Sequence, residues 1–220
     1  MVALRSPESD ARARPPDPRR IQAGGEARRA ATAQLLGLLR AGEQSAEAAF
    51  RRIARRLTAA ESAYAWPALE GIADDEARHD HLLAHAASAD AAEAVRVPPS
   101  VRRFFRRLES REPAVHLVRI SALDGCVCQV LSAALTCREA AQPVPAVAAV
   151  LSIIRRDEGR HVRIARGLAR SLGATPDRFQ ELGLETRHAF AHVLALYESA
   201  WVALGVDTGA LRQRVIRDGD

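Results

Sequence analysis

The 220-residue chain is predicted to be an all-α protein, on two observations. Its aromatic content is only 4%, whereas Ala, Leu and Arg are abundant, and this composition favours packed helices over sheets. Its apolar residues recur at alternating intervals of three and four over several long segments, as on the buried face of a bundle helix. A chain of this length can form one domain with a substantial core.

The first 27 residues precede the periodic part of the chain. They contain four prolines, several charges and a Gly-Gly pair, so we expect residues 1–27 to form a disordered N-terminal arm. The first helix is predicted over about residues 28–60. Its core stripe consists of Leu36, Leu39, Glu43, Ala46, Phe50, Ile53 and Leu57. Glu43 therefore lies on the buried stripe, whereas Glu47 lies beside it.

The second helix is predicted from Pro67, which suits the first turn of a helix, to about residue 87. The connection that follows, residues 88–111, is long for a helical bundle and carries a short helical piece over residues 101–108. Arginine pairs in this piece form a basic patch. A crossover of this length allows two helical hairpins to lie side by side in one bundle.

Two further bundle helices and a helical C-terminal region complete the prediction. Pro113 opens the third helix, and Asp124 takes a core position on its stripe. The fourth helix covers about residues 146–171, before Gly173 and Pro176 interrupt the pattern. We thus predict one domain over residues 28–220, with a four-helix bundle over about 28–171, a long crossover between its second and third helices, and additional C-terminal helices over about 177–220.

A motif of the form Asp-Glu-x-Arg-His occurs at residues 75–79 and again at residues 157–161. Within each copy the Glu and the His are three residues apart, so a helix presents both on one face. Both pairs fall on core stripes, at positions where leucine is expected. The two copies lie 82 residues apart, which indicates a duplicated unit that offers two metal ligands from each helix.

Six acidic and imidazole side chains are therefore predicted to meet inside the bundle. The spacing within each hairpin, 33 and 34 residues, places the carboxylates at nearly the same height. Four buried carboxylates would each be costly to desolvate and would repel one another, whereas two divalent cations neutralise them. Mixed oxygen and imidazole ligation suits iron or manganese. The predicted ligands are Glu43, Glu76, His79, Asp124, Glu158 and His161.

These motifs resemble those of the ferritin-like superfamily, in its carboxylate-bridged di-iron branch. The two Asp-Glu-x-Arg-His copies are similar to those of the hydroxylase subunits of bacterial multicomponent monooxygenases and, more loosely, of the small subunit of ribonucleotide reductase. The resemblance covers about residues 30–170 and implies a ferritin-like four-helix bundle that binds two Fe ions, with Mn/Fe or Mn/Mn as alternatives. It also implies that Asp75 and Asp157 accept hydrogen bonds from the ligand histidines, and that Arg78 and Arg160 join them in a buried polar network.

The sequence departs from that family pattern at one ligand and leaves three extra candidates. The third helix usually supplies Glu, and Asp124 is shorter by one methylene, which bears on the coordination of the second metal. Glu47, His188 and His192 are candidate extra ligands, and the i, i+4 spacing of the two histidines places them on one face of a helix. An interface or solvent-exposed position is the alternative for this pair. The histidines without a partner pattern, expected at the surface, are His81, His85 and His116.

The resemblance implies an enzyme that activates O2. We expect a di-iron oxygenase or oxidase that hydroxylates, N-oxygenates or desaturates a small organic substrate and draws on an external electron donor. One alternative is iron oxidation or peroxide scavenging of the ferritin or rubrerythrin kind, which a large closed shell would favour. A second is a tRNA-modifying hydroxylase, in which arginines near residues 51–56 and 102–107 contact phosphates. Those arginines also fit solvated helix faces, so we do not expect a nucleic-acid substrate. A homodimer is compatible with the sequence.

Charge, cysteine content and hydropathy exclude several kinds of site and indicate the cellular compartment. The net charge of +5 comes from arginine alone, because the chain contains no lysine, and this excludes Schiff-base chemistry on a lysine. The three cysteines lack the paired spacing of a zinc or rubredoxin-type iron site, so we expect buried, reduced thiols. We find neither an uninterrupted apolar run of about 18 residues nor a secretory signal pattern. We therefore expect a cytoplasmic protein without a membrane span.

Overall fold

The computed structural model describes residues 18–57, 59–89, 95–137 and 145–217. Within these ranges the chain forms eight helices and no strands, so the all-α prediction is confirmed. In chain order the helices are α1 (Pro18–Ala54), α2 (Ala59–Ala89), α3 (Pro99–Leu108), α4 (Pro113–Leu135), α5 (Pro145–Ser171), α6 (Pro176–Ala195), α7 (Glu198–Ala203) and α8 (Thr208–Arg217).

Proline and glycine set several helix boundaries. Helices α3, α4 and α6 carry proline in the first turn, and Thr175 caps α6 by accepting a hydrogen bond from the Arg178 amide at 3.3 Å. The chain leaves α5 through Gly173, whose φ of 91° favours glycine. The Ala174 amide then donates to the Ala169 carbonyl at 2.9 Å and closes the helix end. Because these signals are local, the predicted starts of α4, α5 and α6 and the predicted end of α5 agree with the structure to within one residue.

The predicted start of the first helix is wrong. Helix α1 begins at Pro18 rather than near residue 28 and ends at Ala54, so the last part of the predicted disordered arm is helical. Proline is well tolerated at a helix start, and each glycine of the Gly24-Gly25 pair costs a helix only about 1 kcal/mol. Residues 1–17, the rest of that predicted arm, lie outside the described residues.

The predicted role of Pro67 is also wrong. Helix α2 begins at Ala59, so Pro67 lies inside the helix instead of in its first turn. The apolar stripe of this helix continues through the fully buried Ala65, two residues before the proline. Tertiary packing of that turn therefore keeps it helical, although a proline removes one backbone hydrogen bond.

Helices α1, α2, α4 and α5 form the four-helix bundle. Helix α1 packs along α2, α4 packs along α5, and α2 also packs against α5. Helix α3 lies in the connection between the two hairpins, as predicted. Helix α6 packs on α3, α4 and α8, and α7 packs on α1. Direct approach between α1 and α4 is limited to few residues, which leaves room for a cavity between them.

Two apolar clusters fill the bundle, one on each side of a polar layer. The first includes Phe50, Ile53, Leu69, Ile72 and Leu117, and the second includes Leu36, Leu83, Leu131, Leu151 and Ile154. Along α1, α2 and α5, the buried acids Glu43, Glu76 and Glu158 lie between the residues that belong to the two clusters. The polar layer is therefore enclosed by hydrocarbon on both sides.

Helix α4 is apolar enough to cross a membrane when judged by length and composition alone. It has 23 residues, and its most apolar window has a mean hydropathy of 1.4. However, 61% of that window is buried inside the protein, and Asp124 lies in the middle of the helix. These properties are those of a central core helix.

His116, on α4, is buried, so the expectation of a surface position is wrong. The residue is only 2% exposed, and its Nδ1 accepts a hydrogen bond from the Ser110 amide at 3.2 Å. Burial lowers the pKa of His116 to about 4, and the positive charges of Arg52 and Arg56 on α1 and Arg119 on α4 act in the same direction. The imidazole is therefore neutral in the folded protein at neutral pH.

This burial predicts a pH-dependent stability. Between about pH 6.5 and pH 4 the unfolded chain binds a proton at His116 that the folded chain does not. The contribution of His116 to the free energy of unfolding is therefore fully present above about pH 6.5 and declines by about 3 kcal/mol as the pH falls to 4. His116→Asn, which keeps an acceptor for the Ser110 amide, should flatten this profile in urea denaturation. The exposed His81→Asn is the control; identical profiles for His116→Asn and the unmodified protein would refute the prediction.

Candidate metal centre

All six predicted ligands are buried in the polar layer, with relative exposures of 0 to 5%. They come from the four bundle helices: one from α1, two from α2, one from α4 and two from α5. Four of them offer ligand atoms that all lie within 4.8 Å of one another. These four are Glu43, Glu76, His79 and Glu158. Such a group of buried acids and an imidazole has the spacing of side chains that share a cation.

The two histidines direct the same ring nitrogen at the carboxylates. Nδ1 of His79 lies 3.1 Å from Oε2 of Glu43, and Nδ1 of His161 lies 3.0 Å from Oε1 of Glu76. The two imidazole rings stack with their centroids 5.9 Å apart. Glu158 lies between them, with Oε1 3.9 Å from Nδ1 of His79 and Oε2 3.8 Å from Nδ1 of His161. Each oxygen of Glu158 thus faces a different histidine.

The opposite ring nitrogens face carboxylates of the other motif copy. Nε2 of His79 on α2 lies 3.3 Å from Oδ2 of Asp157 on α5, and Nε2 of His161 on α5 lies 3.3 Å from Oδ2 of Asp75 on α2. The aspartate of each motif therefore contacts the histidine of the other. In a neutral imidazole, a carboxylate that accepts the Nε2–H bond leaves Nδ1 without a proton and free to act as a ligand.

Two arginines hold these aspartates. Arg78 donates to Asp75 at 2.7 Å and to Asp157 at 2.9 Å, and Arg160 donates to Asp75. The side chains of Arg78 and Arg160 are 48% and 42% exposed, so this network lies at the edge of the bundle and not in its interior as predicted. Although burial opposes it, hydrogen bonds from the two arginines and His161 lower the pKa of Asp75 to about 2. Asp75 is therefore ionised at neutral pH and can accept a hydrogen bond from Nε2 of His161.

In the described part of the chain, the buried carboxylates of the cluster lack a positive charge that would neutralise them. Burial raises the pKa of Glu76, Asp124 and Glu158 well above the usual range, and repulsion by neighbouring carboxylates raises it further. Three buried cluster atoms have no hydrogen-bond partner among the described residues: Oε1 of Glu76, Oδ2 of Asp124 and Nδ1 of His161. Buried oxygen and nitrogen atoms that converge in this way fit divalent iron or manganese, whose positive charge would stabilise the ionised carboxylates.

Asp124 is buried but lies outside the tightest part of the cluster. It lines a cavity of about 40 Å³ together with Glu43, Glu76 and Glu158, yet it does not belong to the group within 4.8 Å. Its side chain is one methylene shorter than that of Glu, and α4 approaches α1 at few residues. Asp124 thus lines the shared cavity from α4 but lies farther from the ligand atoms of that group than they lie from one another.

Apolar side chains close this cavity. Phe105 from α3 and Phe190 from α6 line it, together with Leu39, Leu123 and Val127 from the bundle helices. A cavity of about 40 Å³ holds a few water molecules and no organic substrate. Access to the centre by such a substrate therefore requires side chains in this wall to move.

The three extra ligand candidates do not belong to the buried cluster. The side chain of Glu47 is 35% exposed and accepts a hydrogen bond from Nε of Arg51 at 3.3 Å. His188 and His192 are exposed on α6, because residues such as Phe190 occupy the buried face of that helix. The i, i+4 spacing showed that the two histidines share a face, but not which way the face points.

Sequence reasoning missed three residues near the centre. Arg156, just before the second motif copy, donates from Nε to Asp157 at 3.3 Å. Phe105 and Phe190 line the cavity beside Asp124. Helical periodicity marks both phenylalanines as buried, but it does not indicate that α3 and α6 cover the carboxylate cluster.

Comparisons with known proteins agree with this architecture. No protein-family model matches the sequence, and no curated protein matches it. Among solved structures, the chain is similar to a protein from Synechococcus described as protein 19 with aldehyde deformylating oxidase activity. The two share 17% sequence identity and a TM-score of 0.63, over 89% of this chain and 90% of that chain. Together with the crossover and the two ligand-bearing hairpins, this similarity shows that the chain has a ferritin-like helical-bundle fold.

Proposed function

We propose that this protein is a non-haem di-iron oxidoreductase that uses O2 to oxidise a small organic substrate. The observation that carries the proposal is the buried set of carboxylates and histidines, in which three atoms have no hydrogen-bond partner among the described residues. The likeness to a protein with aldehyde deformylating oxidase activity supports an oxidase or oxygenase. We propose hydroxylation, N-oxygenation or desaturation as the reaction, with an external electron donor.

The residues present suggest how two metal ions are held. Glu43 pairs with His79, and Glu76 pairs with His161, so each pair supplies one oxygen and one nitrogen ligand. Glu158 lies between the two pairs, and Asp124 faces them from α4. Bound iron would supply the electrons that reduce O2. Mn/Fe and Mn/Mn occupancy are the alternatives that the same ligands accept.

The protein's own contribution is orientation and exclusion of water. Asp75 and Asp157 keep a proton on Nε2 of the histidines, so that Nδ1 stays available to the metal. The apolar clusters on both sides of the polar layer keep bulk water away, which strengthens every electrostatic interaction there. A substrate positioned at the cavity wall beside Phe105 and Phe190 would therefore meet the centre in an apolar environment.

The proposal is tested by loading the purified protein with Fe(II) without oxygen, measuring metal per chain, and then measuring O2 uptake with a reductant and candidate substrates. We expect about two iron ions per chain and an O2 uptake that depends on the organic substrate. Repeated Fe(II) oxidation without an organic substrate, by a large closed shell in size-exclusion chromatography, would favour iron handling instead. Less than one metal ion per chain would refute the metal centre.

A further inference from the structure

The outer surface of α3, α4 and α6 contains a second concave site, on the far side of the phenylalanines that line the metal-centre cavity. We propose that this site binds the acidic group of an organic anion with an apolar body, and that this anion is the substrate. The inference deepens the proposed function and rests on it for the reaction, whereas binding at the site requires no metal.

The site, called here the arginine groove, has a volume of about 560 Å³. This volume lies within the range of about 300–1,000 Å³ that is usual for small-molecule pockets. The groove combines guanidinium groups with apolar rings and chains, as pockets for amphipathic ligands do. Its main lining residues are Arg103, Phe104 and Arg107 of α3, Arg119 of α4, Val193 of α6, and Leu196 directly after α6.

The charge of the groove selects an anion. Arg103 and Arg107 lie four residues apart, so they share one face of α3. Arg119 is held in place, because it donates to the Arg107 carbonyl at 3.4 Å and to Glu185 at 3.5 Å. Glu185 is the one acid among the lining residues, and its side chain is 65% exposed. Three guanidinium groups thus face one carboxylate, and their planar forks match the oxygens of a carboxylate or phosphate. The exposed His192 also lines the groove.

The apolar floor indicates that the anion carries a hydrocarbon part. Phe104 and Leu108 are each 7% exposed, and Val193 is 4% exposed, so this floor is fixed by the core. The neighbouring Leu196 is 55% exposed, which is unusual for a large apolar side chain and leaves apolar surface at the rim. A bare inorganic ion would gain nothing from these surfaces, whereas an apolar body would be removed from water on them.

A single layer of aromatic rings separates the groove from the metal-centre cavity. Phe104 lines the groove and packs against Phe105 with centroids 5.2 Å apart and against Phe190 with centroids 5.8 Å apart. Phe105 and Phe190 in turn line the cavity beside Asp124. An apolar body that lies on Phe104, with its acidic group on the arginines, would therefore be separated from the metal-centre cavity by this one aromatic layer.

The arginines of α3 provide a matched control. Arg102 and Arg106 each precede an arginine of the groove, are exposed on the same helix, and do not line the groove. A nucleic-acid backbone on this helix would use all four arginines for phosphate contacts, because such contacts follow the charged surface and not a pocket. A small anion in the groove would use only Arg103 and Arg107.

The test is calorimetric titration of the purified protein with octanoate, octyl phosphate and octanol, without turnover. We expect octanoate or octyl phosphate to bind, octanol to bind at least about tenfold more weakly, and added salt to weaken the acidic ligand. The double variant R103Q/R107Q should weaken acidic-ligand binding by about tenfold or more. R102Q/R106Q should change it by less than about twofold. Circular dichroism checks that both variants are folded.

The outcomes separate the two proposals. Equal binding of octanol and octanoate, equal losses in the two double variants, or no binding of any of the three compounds would overturn the arginine groove. Binding of single-stranded RNA that both double variants weaken equally would assign the arginines to phosphate contacts and would overturn it as well. Failure to bind iron would refute the proposed function and leave the calorimetric result unchanged.

Discussion

Glu158→Gln is expected to reduce bound iron from about two ions per chain to one or fewer. The two oxygens of Glu158 face different histidines, at 3.9 Å and 3.8 Å, so its loss affects both halves of the centre. The affinity for metal should decrease by at least about 100-fold, because outer-shell partners alone are worth about 10- to 100-fold. Elemental analysis after anaerobic loading measures the first quantity, and competition with a chelator measures the second.

The same substitution should stabilise the metal-free protein. Burial and repulsion by Asp124 and Glu43 raise the pKa of Glu158, so its negative charge opposes folding in the absence of metal. Glutamine keeps the shape without the charge, and we expect the free energy of unfolding in chelator to rise by about 1–3 kcal/mol. An ordinary core substitution lowers the free energy of unfolding both with metal and in chelator. Weaker metal binding together with a more stable metal-free protein would therefore identify Glu158 as a ligand.

The control for Glu158→Gln is Glu47→Gln. Glu47 is 35% exposed and bonded to Arg51, so its neutralisation should change neither the metal content nor the stability of the metal-free protein appreciably. Retention of full metal content by Glu158→Gln would refute the ligand assignment. A comparable metal loss in both variants would show that metal binding responds to the loss of any carboxylate near the bundle and is not specific to the buried cluster.

Asp157→Asn is expected to weaken metal binding by about 10- to 100-fold, through the histidine of the facing helix. The carboxylate of Asp157 contacts Nε2 of His79 at 3.3 Å, and it also accepts hydrogen bonds from Arg78 and Arg156. An amide can turn its NH2 group toward Nε2, which moves the imidazole proton to Nδ1 and blocks the ligand atom. Chelator competition with Mn(II) measures the affinity, and nitrogen NMR of the histidine rings reports the tautomer.

Asp75→Asn should have the same effect on His161, whose Nε2 lies 3.3 Å from Asp75. The matched control is Asp74→Asn, because Asp74 is the neighbouring residue, is 74% exposed and pairs only with Arg51 among the described residues. Asp74→Asn should leave metal affinity and tautomers unchanged. If the three aspartate variants behave alike, the aspartates do not orient the histidines.

The ligand set could be predicted because its signal is local and repeated. Glu-x-x-His on a core stripe marks two buried ligands, and the recurrence of the motif at residues 157–161 makes a coincidence of surface charges implausible. Helix boundaries set by single residues, such as Pro113 and Gly173, could be predicted for the same reason.

Features that depend on packing between distant segments could not be predicted. The turn before Pro67 is helical because Ala65 is buried by other helices. The exposure of His188 and His192 depends on which face of α6 meets α4. The arginine groove joins α3 to α6, and helical periodicity within either segment contains no information about that contact.

The crossed contacts between the two motif copies mean that neither hairpin is self-sufficient as a binding unit. Cutting the chain in the crossover would give two fragments that each retain a Glu-x-x-His pair, yet in each fragment the imidazole would lack the aspartate that orients it. Two copies of one such hairpin, joined about a twofold axis, would restore both contacts. In these contacts the two halves of the chain are therefore related as the two subunits of a twofold dimer would be, and a substitution of either aspartate affects the histidine of the other half.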